Sequence, residues 1–301
     1  MTASDHVRWL SNPKLQSPTV IAAFNGWNDA ADAASTAVRT LIQAWNAEPL
    51  AEIDPEEFTD FATIRPSVKI EDGRTRSIVW PKVTLWHAST PGADVILVLG
   101  PEPSLKWRLF VEQIMNVATR YDASMILTLG ALIADVSHRG DVQVIGTTND
   151  QTTLERFDLQ RSRYEGPTGI ISVLHDAATQ TSIPNASLWA IVPAIASQIP
   201  SPKAANALIA RAGEIIGTPA PLGVLHNQIV AYDNKVEEMI EEDEDLREYV
   251  ERIEEMGDED DDANDFVDPN QLELFDDSED IEEEIEHLAD EVEQFLRDQD
   301  K

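Results

Sequence analysis

Three short segments of the sequence carry side chains that could do chemistry, and they lie at residues 25–29, 100–108 and 130–140. The first reads Asn-Gly-Trp-Asn-Asp and precedes a predicted helix, whose free amide groups attract an anion or a carboxylate. The second contains a glutamate near basic residues, and the third contains a histidine with an aspartate, so each could transfer protons. The candidate pocket is built from these segments: Asn25, Gly26, Trp27, Asp29, Glu102, Arg108 and His138.

Each segment also has a purely structural interpretation. Asn28 and Asp29 are residue types that cap the start of a helix, and Asn28 is the expected cap of the helix that follows. Glu102 could form a salt bridge with a basic neighbour at a helix end, and His138 could lie in a surface turn. We therefore expect a shared site only if the fold brings the three segments together.

Searches for strong catalytic motifs fail. The sequence has no phosphate-binding loop, dinucleotide-binding glycine motif, zinc-protease motif or serine-hydrolase elbow. It has no Cys, which excludes thiolate metal sites and a cysteine nucleophile. The acidic run 258–262 does not form an EF-hand loop, since Asp265 and Gln271 stand where that loop needs glycine and glutamate. The sequence therefore predicts no metal site and no cofactor.

The elements that must position the three segments alternate along the chain. Predicted strands near residues 19, 94, 125 and 188 alternate with predicted helices near 29, 104, 168 and 203. The clearest helix follows Ser104, its expected cap, and shows an apolar stripe from Trp107 to Tyr121. Such alternation predicts an α/β layered domain with a largely parallel sheet. In such sheets ligands bind beyond the carboxyl ends of the strands, where the three segments are expected.

Charge is distributed unevenly in this acidic chain, whose formal net charge is −34. Residues 1–235 hold 24 acidic and 18 basic side chains, whereas residues 236–301 hold 32 acidic and 4 basic ones. Repulsion from polyanions disfavours nucleic acids and anionic membranes as partners. The first residues do not resemble a signal peptide, and no apolar run approaches the roughly 20 residues that span a bilayer. We therefore expect a cytoplasmic protein.

The acidic segment contains two narrow apolar seams. We expect a body of residues 1–256, which includes the first acidic helix, and an acidic tail of residues 257–301 with one amphipathic helix. Because like charges on one helix repel, each helix should need a surface to cover, on its own chain or on a partner. The two seams comprise Met239, Leu246, Tyr249, Ile253 and Met256, and then Ile281, Ile285, Leu288, Val292 and Phe295.

Several runs of residues, taken in order, resemble the proteasome assembly chaperone 2 family in its actinobacterial branch. The runs are 23–30, 100–103, 129–132, 164–169, 187–190 and 201–204. The resemblance implies a three-layer αβα domain with a largely parallel or mixed sheet, similar to nucleoside phosphorylases. It also implies a homo-oligomer, for which a trimer is one option, and a chaperone-like role that could be linked to proteasome assembly or regulation.

Some features depart from the family pattern. Ser137, Arg139 and Gly140 interrupt the Pro-His-Thr-Arg-Pro run that relatives often have around the residue matching His138. The chain ends in Gln-Asp-Lys, whereas relatives that act on proteasomes can end in a hydrophobic–Tyr–any tripeptide. Docking through such a peptide is therefore not expected.

Three hypotheses for function follow. The leading one is a non-enzymatic protein-interaction or chaperone-like protein that forms a homo-oligomer and binds a client protein. The second is an enzyme, either a hydrolase or a relative of ATP-dependent carboxylate–amine ligases, with its site at the strand-end loops. The third is an acidic structural partner for a basic client.

Overall fold

The computed structural model describes residues 6–71 and 75–259. All described residues belong to one unit, Met1–Asn264. The predicted tail helix with its seam from Ile281 to Phe295 lies outside the described residues.

The strands follow the apolar runs of the sequence. Those in the described residues are β1 (Val7–Trp9), β2 (Thr19–Asn25), β3 (Glu48–Ile53), β4 (Ser67–Glu71), β5 (Thr75–Val79), β6 (Val83–Ser89), β7 (Asp94–Pro101), β8 (Met125–Ala134), β9 (Val144–Thr147) and β10 (Asn185–Pro193). The α-helices there are α1 (Ala33–Ala44), α2 (Trp107–Arg120), α3 (Gln151–Phe157), α4 (Ile170–Gln180), α5 (Pro202–Ile216), α6 (His226–Glu242) and α7 (Glu244–Glu259).

The central sheet is mixed. Among the described residues it has eight strands in the order β1-β3-β6-β7-β2-β8-β10-β9. The four inner strands β7, β2, β8 and β10 run parallel to one another. On one side β6, β3 and β1 follow, each antiparallel to the strand before it, and on the other side β9 is antiparallel to β10. The inner strands are continuous apolar runs because helices bury both of their faces.

Helices form a layer on each face of the sheet. Side chains of α1 and α5 share one core with the sheet, and side chains of α2 and α4 share the other. The predicted α/β fold with a mixed sheet is therefore confirmed, while the likeness to nucleoside phosphorylases stays a prediction.

The apolar stripe predicted for α2 is confirmed, but its predicted cap is wrong. Phe110, Ile114 and Val117 are buried in the core. The helix begins at Trp107 after Lys106, whose φ of 51° is left-handed, and the amide of Ser104 donates to the carbonyl oxygen of Phe58. Ser104 therefore belongs to the preceding loop, because that hydrogen bond holds it outside the helix.

Strand β5 does not pair with β6, although only Trp80, Pro81 and Lys82 separate the two strands. Strand β6 already pairs with β3 on one side and β7 on the other. Both of its edges are thus occupied, and β5 pairs with β4 in a separate two-stranded hairpin.

The two C-terminal helices of the described region form a third, small core. It contains Tyr232, Val236, Ile240 and Val250, and these pack on Ala196 in the segment after β10. The predicted seam is only partly observed, since Ile253 is buried but Met239 and Leu246 are half-exposed. The seam shifts because the chain turns at Asp243, where extended backbone separates α6 from α7. The side chain of Met256 lies outside the described part.

None of the helices described in residues 6–71 and 75–259 is both long enough and apolar enough to cross a lipid bilayer.

Candidate functional site

The first two candidate segments meet at the carboxyl ends of two neighbouring strands. Asn25, the last residue of β2, lies opposite Pro101, the last residue of β7, in the parallel ladder. The amide of Glu102 then donates to the carbonyl oxygen of Asn25 at 2.8 Å. The sheet therefore brings Glu102 beside the loop that follows β2, as expected for parallel strands.

Glu102 connects this loop to a distant helix. Its Oε1 atom accepts hydrogen bonds from Asn28 Nδ2 at 2.9 Å and from the amide of Ile170, the first residue of α4, at 2.7 Å. A carboxylate at a helix start satisfies a free amide and interacts favourably with the helix dipole. The predicted salt bridge with Lys106 or Arg108 is not observed, since Lys106 pairs with Glu57 and Arg108 is exposed.

Asp29 caps α1 from the same loop. It is 6% exposed, and its Oδ1 atom accepts from the amides of Ala34 at 2.7 Å and Ser35 at 3.1 Å. Burial raises the pKa of the Asp29 carboxyl, although these hydrogen bonds act in the opposite direction. Asn28 was the predicted cap, and that prediction is wrong, because its side chain is directed to Glu102.

Two glycines allow the close approach of these groups. Gly26 has a φ of 136°, and a Cβ atom there would lie 3.2 Å from Cβ of Glu102. A Cβ atom on Gly169, just before α4, would lie 2.2 Å from Nδ2 of Asn28. Larger residues at either position would therefore displace the Asn28–Glu102 pair.

Two other members of the candidate pocket lie outside this network. The side chain of Trp27 is 52% exposed, and Arg108 is exposed on α2. The structure thus brings Asn25, Gly26, Asp29 and Glu102 together. Trp27 belongs to the same loop, but its side chain is exposed to solvent.

His138 belongs to a second group, on the loop after β8. It is 5% exposed, and its Nε2 atom lies 3.1 Å from Glu237 Oε1 on α6. Arg139 binds Glu237 through Nε at 3.1 Å and Glu254 on α7 through Nη1 at 2.7 Å. Hydrogen bonds from Arg139, and then from His138, lower the pKa of Glu237 to about 2. Tyr249 of α7 also donates to Asp135 on the same loop.

A pocket of about 240 Å³ adjoins His138. Its polar lining includes Ser201, Lys203 and Tyr232, which the sequence interpretation did not select. Lys203 Nζ donates to the carbonyl oxygen of His138 at 2.8 Å and lies 3.7 Å from Asp233 Oδ1. The only signal for Ser201 and Lys203 was the run 201–204, which the family resemblance includes, and Tyr232 lies outside that run.

The two groups are neighbours but have different partners. The amide of Ser201, which lines the His138 pocket, donates at 2.8 Å to the carbonyl oxygen of Ala31 in the loop after β2. Glu102 accepts a hydrogen bond from the first residue of α4, whereas His138 forms a hydrogen bond with Glu237 on α6. Over residues 6–71 and 75–259, no group of three or more His, Cys, Asp or Glu side chains could hold a metal ion.

Comparisons with known proteins agree on one family. A family model described as the PAC2 family matches residues 23–240. A PAC2 family protein from Streptomyces avermitilis is 39% identical, over 77% of this chain and 99% of its own, with a TM-score of 0.71. A proteasome-assembly chaperone homologue from Mycobacterium tuberculosis is 40% identical, over 77% of this chain and 99% of its own, with a TM-score of 0.70.

A more distant structure shares the fold alone. It is an archaeal proteasome activator from Pyrococcus furiosus, 15% identical over 77% of this chain and 97% of its own, with a TM-score of 0.64. The search of curated proteins found no match.

Proposed function

We propose that this chain, which belongs to the PAC2 family, is a chaperone-like protein that works by binding other proteins. It would act in the cytoplasm as a homo-oligomer, without catalysing a reaction. The proposal extends to proteasome assembly, because a relative that is 40% identical is described as a proteasome-assembly chaperone homologue.

The observation that carries the non-enzymatic part is the use of the two strand-end carboxylates. Glu102 accepts from Asn28 and from the start of α4, and Asp29 accepts from two amides of α1. A general acid or base must reach a substrate proton, and these oxygen atoms instead hold the protein's own loops and helices. This arrangement supports a structural role for Glu102 and Asp29, which lie at the edge of the sheet where α/β folds generally bind ligands.

The proteasome proposal is tested by reconstitution. Purified α and β subunits of an actinobacterial 20S proteasome are mixed with and without an excess of this protein, and assembly is followed on native gels. We expect a complex between this protein and free α subunits, and faster appearance of the assembled particle. An unrelated protein of similar negative charge serves as the control. Absence of both the complex and the acceleration would contradict the link to the proteasome.

The pocket beside His138 favours one alternative, an enzyme with its site there. His138 Nδ1 is buried and makes no hydrogen bond within the described residues, and Lys203 supplies a nearby positive charge.

A thermal-shift screen with nucleotides and small carboxylates separates the two functions. A ligand at 100 times its dissociation constant adds about 2.7 kcal/mol of stability, which such a screen detects easily. We expect no such shift. A shift that His138→Gln abolishes, while Trp27→Ala leaves it intact, would favour the enzyme.

A further inference from the structure

The hairpin of β4 and β5 presents an apolar face to solvent. Val68 pairs directly with Ile78, and Ile70 lies two residues from Val68 on the same face. Their exposed fractions are 55% for Val68, 59% for Ile78 and 62% for Ile70. Trp80, which follows β5, is also exposed, at 45%. An isolated two-stranded hairpin is marginally stable in water, and an exposed apolar face of this kind is typical of a surface that another protein surface buries.

The hairpin also differs in charge from the rest of the chain. Residues 65–82 contain five basic and two acidic side chains, although the whole chain has a net charge of −34. Arg76 is exposed on the apolar face, where it pairs with Ile70, whereas Lys69 is exposed on the opposite face, where it pairs with Ser77. A partner surface that is both apolar and acidic would therefore complement the hairpin.

The same chain carries a surface of that kind. Leu222, Val224 and Val230, at the start of α6, are 44–50% exposed. The adjoining helices contain twelve acidic and three basic residues between His226 and Glu255. We call Leu222–Val230 together with the exposed side of α6 and α7 the acidic surface.

Both surfaces are exposed within one copy of the chain, so neither covers the other there, and contact between them requires two copies. The hairpin leads into β6, whereas α6 and α7 are tied to the loop after β8 through Arg139 and Tyr249. Strands β7 and β2 separate β6 from β8, which corresponds to about 14 Å at ~4.8 Å per strand.

We propose that the apolar face of the β4–β5 hairpin docks on the acidic surface of a second copy of this chain. Hairpin-to-hairpin contact is disfavoured, since it would bring two positively charged segments together. Contact between two different surfaces is heterologous, and repetition of it closes a ring or extends a filament. This inference rests on the proposed function, since it names the two surfaces that would join copies of the proposed homo-oligomer.

A charge exchange tests the proposal by sedimentation velocity at micromolar concentration. We expect the natural chain to be multimeric, and Arg76→Glu to raise the dissociation constant about tenfold or more. Glu241→Lys/Glu242→Lys on the acidic surface should do the same. Combining these three changes in one chain should restore assembly, because the charges are again complementary. Lys69→Glu, on the opposite face of the same hairpin, is the matched control and should assemble normally.

The milder variant Arg76→Gln tests the same contact if the charge reversal prevents folding. It should also weaken assembly, and it should reduce the sensitivity of assembly to salt. Unchanged assembly of the Arg76 variants, or failure of the three-change variant to reassemble, would overturn this inference alone, and the proposed function would stand if that multimer still binds proteasome subunits. A monomeric natural chain would contradict both this inference and the homo-oligomer of the proposed function.

Discussion

Glu102→Ala is expected to lower the free energy of unfolding by about 3 kcal/mol. The carboxylate accepts one hydrogen bond from the side chain of Asn28 and one from the amide of Ile170. Removing it leaves both donors without their partner in a half-buried setting, and a hydrogen bond to a charged group contributes about 1.5–3 kcal/mol. Urea melts monitored by circular dichroism measure the change.

Glu102→Gln is the matched control for that experiment. The amide oxygen can still accept from both donors, so the main loss is the favourable charge at the start of α4, about 0.3–1 kcal/mol. A near-neutral alanine variant would show that the network at the strand ends is not a stabilising feature. Equal losses in both variants would assign the stabilisation to charge instead of to the hydrogen bonds.

Protonation of His175 is expected to lower the free energy of unfolding by about 3 kcal/mol as the pH falls from above 6.5 to about 4. His175 on α4 lies against the sheet, with Nε2 2.9 Å from Thr128 Oγ1 on β8. Burial lowers the pKa of His175 from 6.5 to about 4, while a hydrogen bond to the backbone of Ala186 acts in the opposite direction. A shift of one pKa unit corresponds to about 1.36 kcal/mol.

The sign follows from proton binding. In the unfolded chain His175 binds a proton as the pH falls below 6.5, whereas in the folded chain it stays neutral until the pH reaches its lowered pKa of about 4. The unfolded state therefore gains stability as the pH falls through this window. Above pH 6.5 His175 is neutral in both states, so its full contribution to the free energy of unfolding is present there.

His175→Gln provides the control for this pH dependence. Glutamine can keep a hydrogen bond to Thr128 but does not titrate, so the slope of stability against pH between 6.5 and 4 should become flatter. Urea melts of both proteins at intervals of half a pH unit measure it. An unchanged slope in the variant would show that His175 is not the group responsible.

Much of the fold could be predicted from the sequence because its signals are local. The stripe of α2 repeats over consecutive turns of one helix, and the strand Thr19–Phe24 is a continuous apolar run. Burial of such segments depends on their own periodicity and needs no knowledge of their partners. For this reason the alternation of strands and helices predicted the α/β class, and the motif runs between residues 23 and 204 predicted the family.

The roles of the polar residues could be predicted only in part. Asp29 was recognised as a residue type that caps helices, and it caps α1. Asn28 is an equally good cap by type, but its side chain is taken by Glu102, which lies 74 positions away in the sequence. The preference of Asn and Asp for helix caps does not show which of two adjacent residues will cap the helix when a distant residue binds the side chain of one of them.

The tertiary structure alone decided which distant groups meet. Glu102 could have paired with its basic neighbours in sequence, but parallel pairing of β2 and β7 places it beside Asn25 and at the start of α4. His138 could have lain in a surface turn, but packing of α6 and α7 buries it against Glu237. Hydrophobic periodicity is encoded within each segment, whereas contacts between polar side chains depend on strand order and helix docking, which no single segment contains.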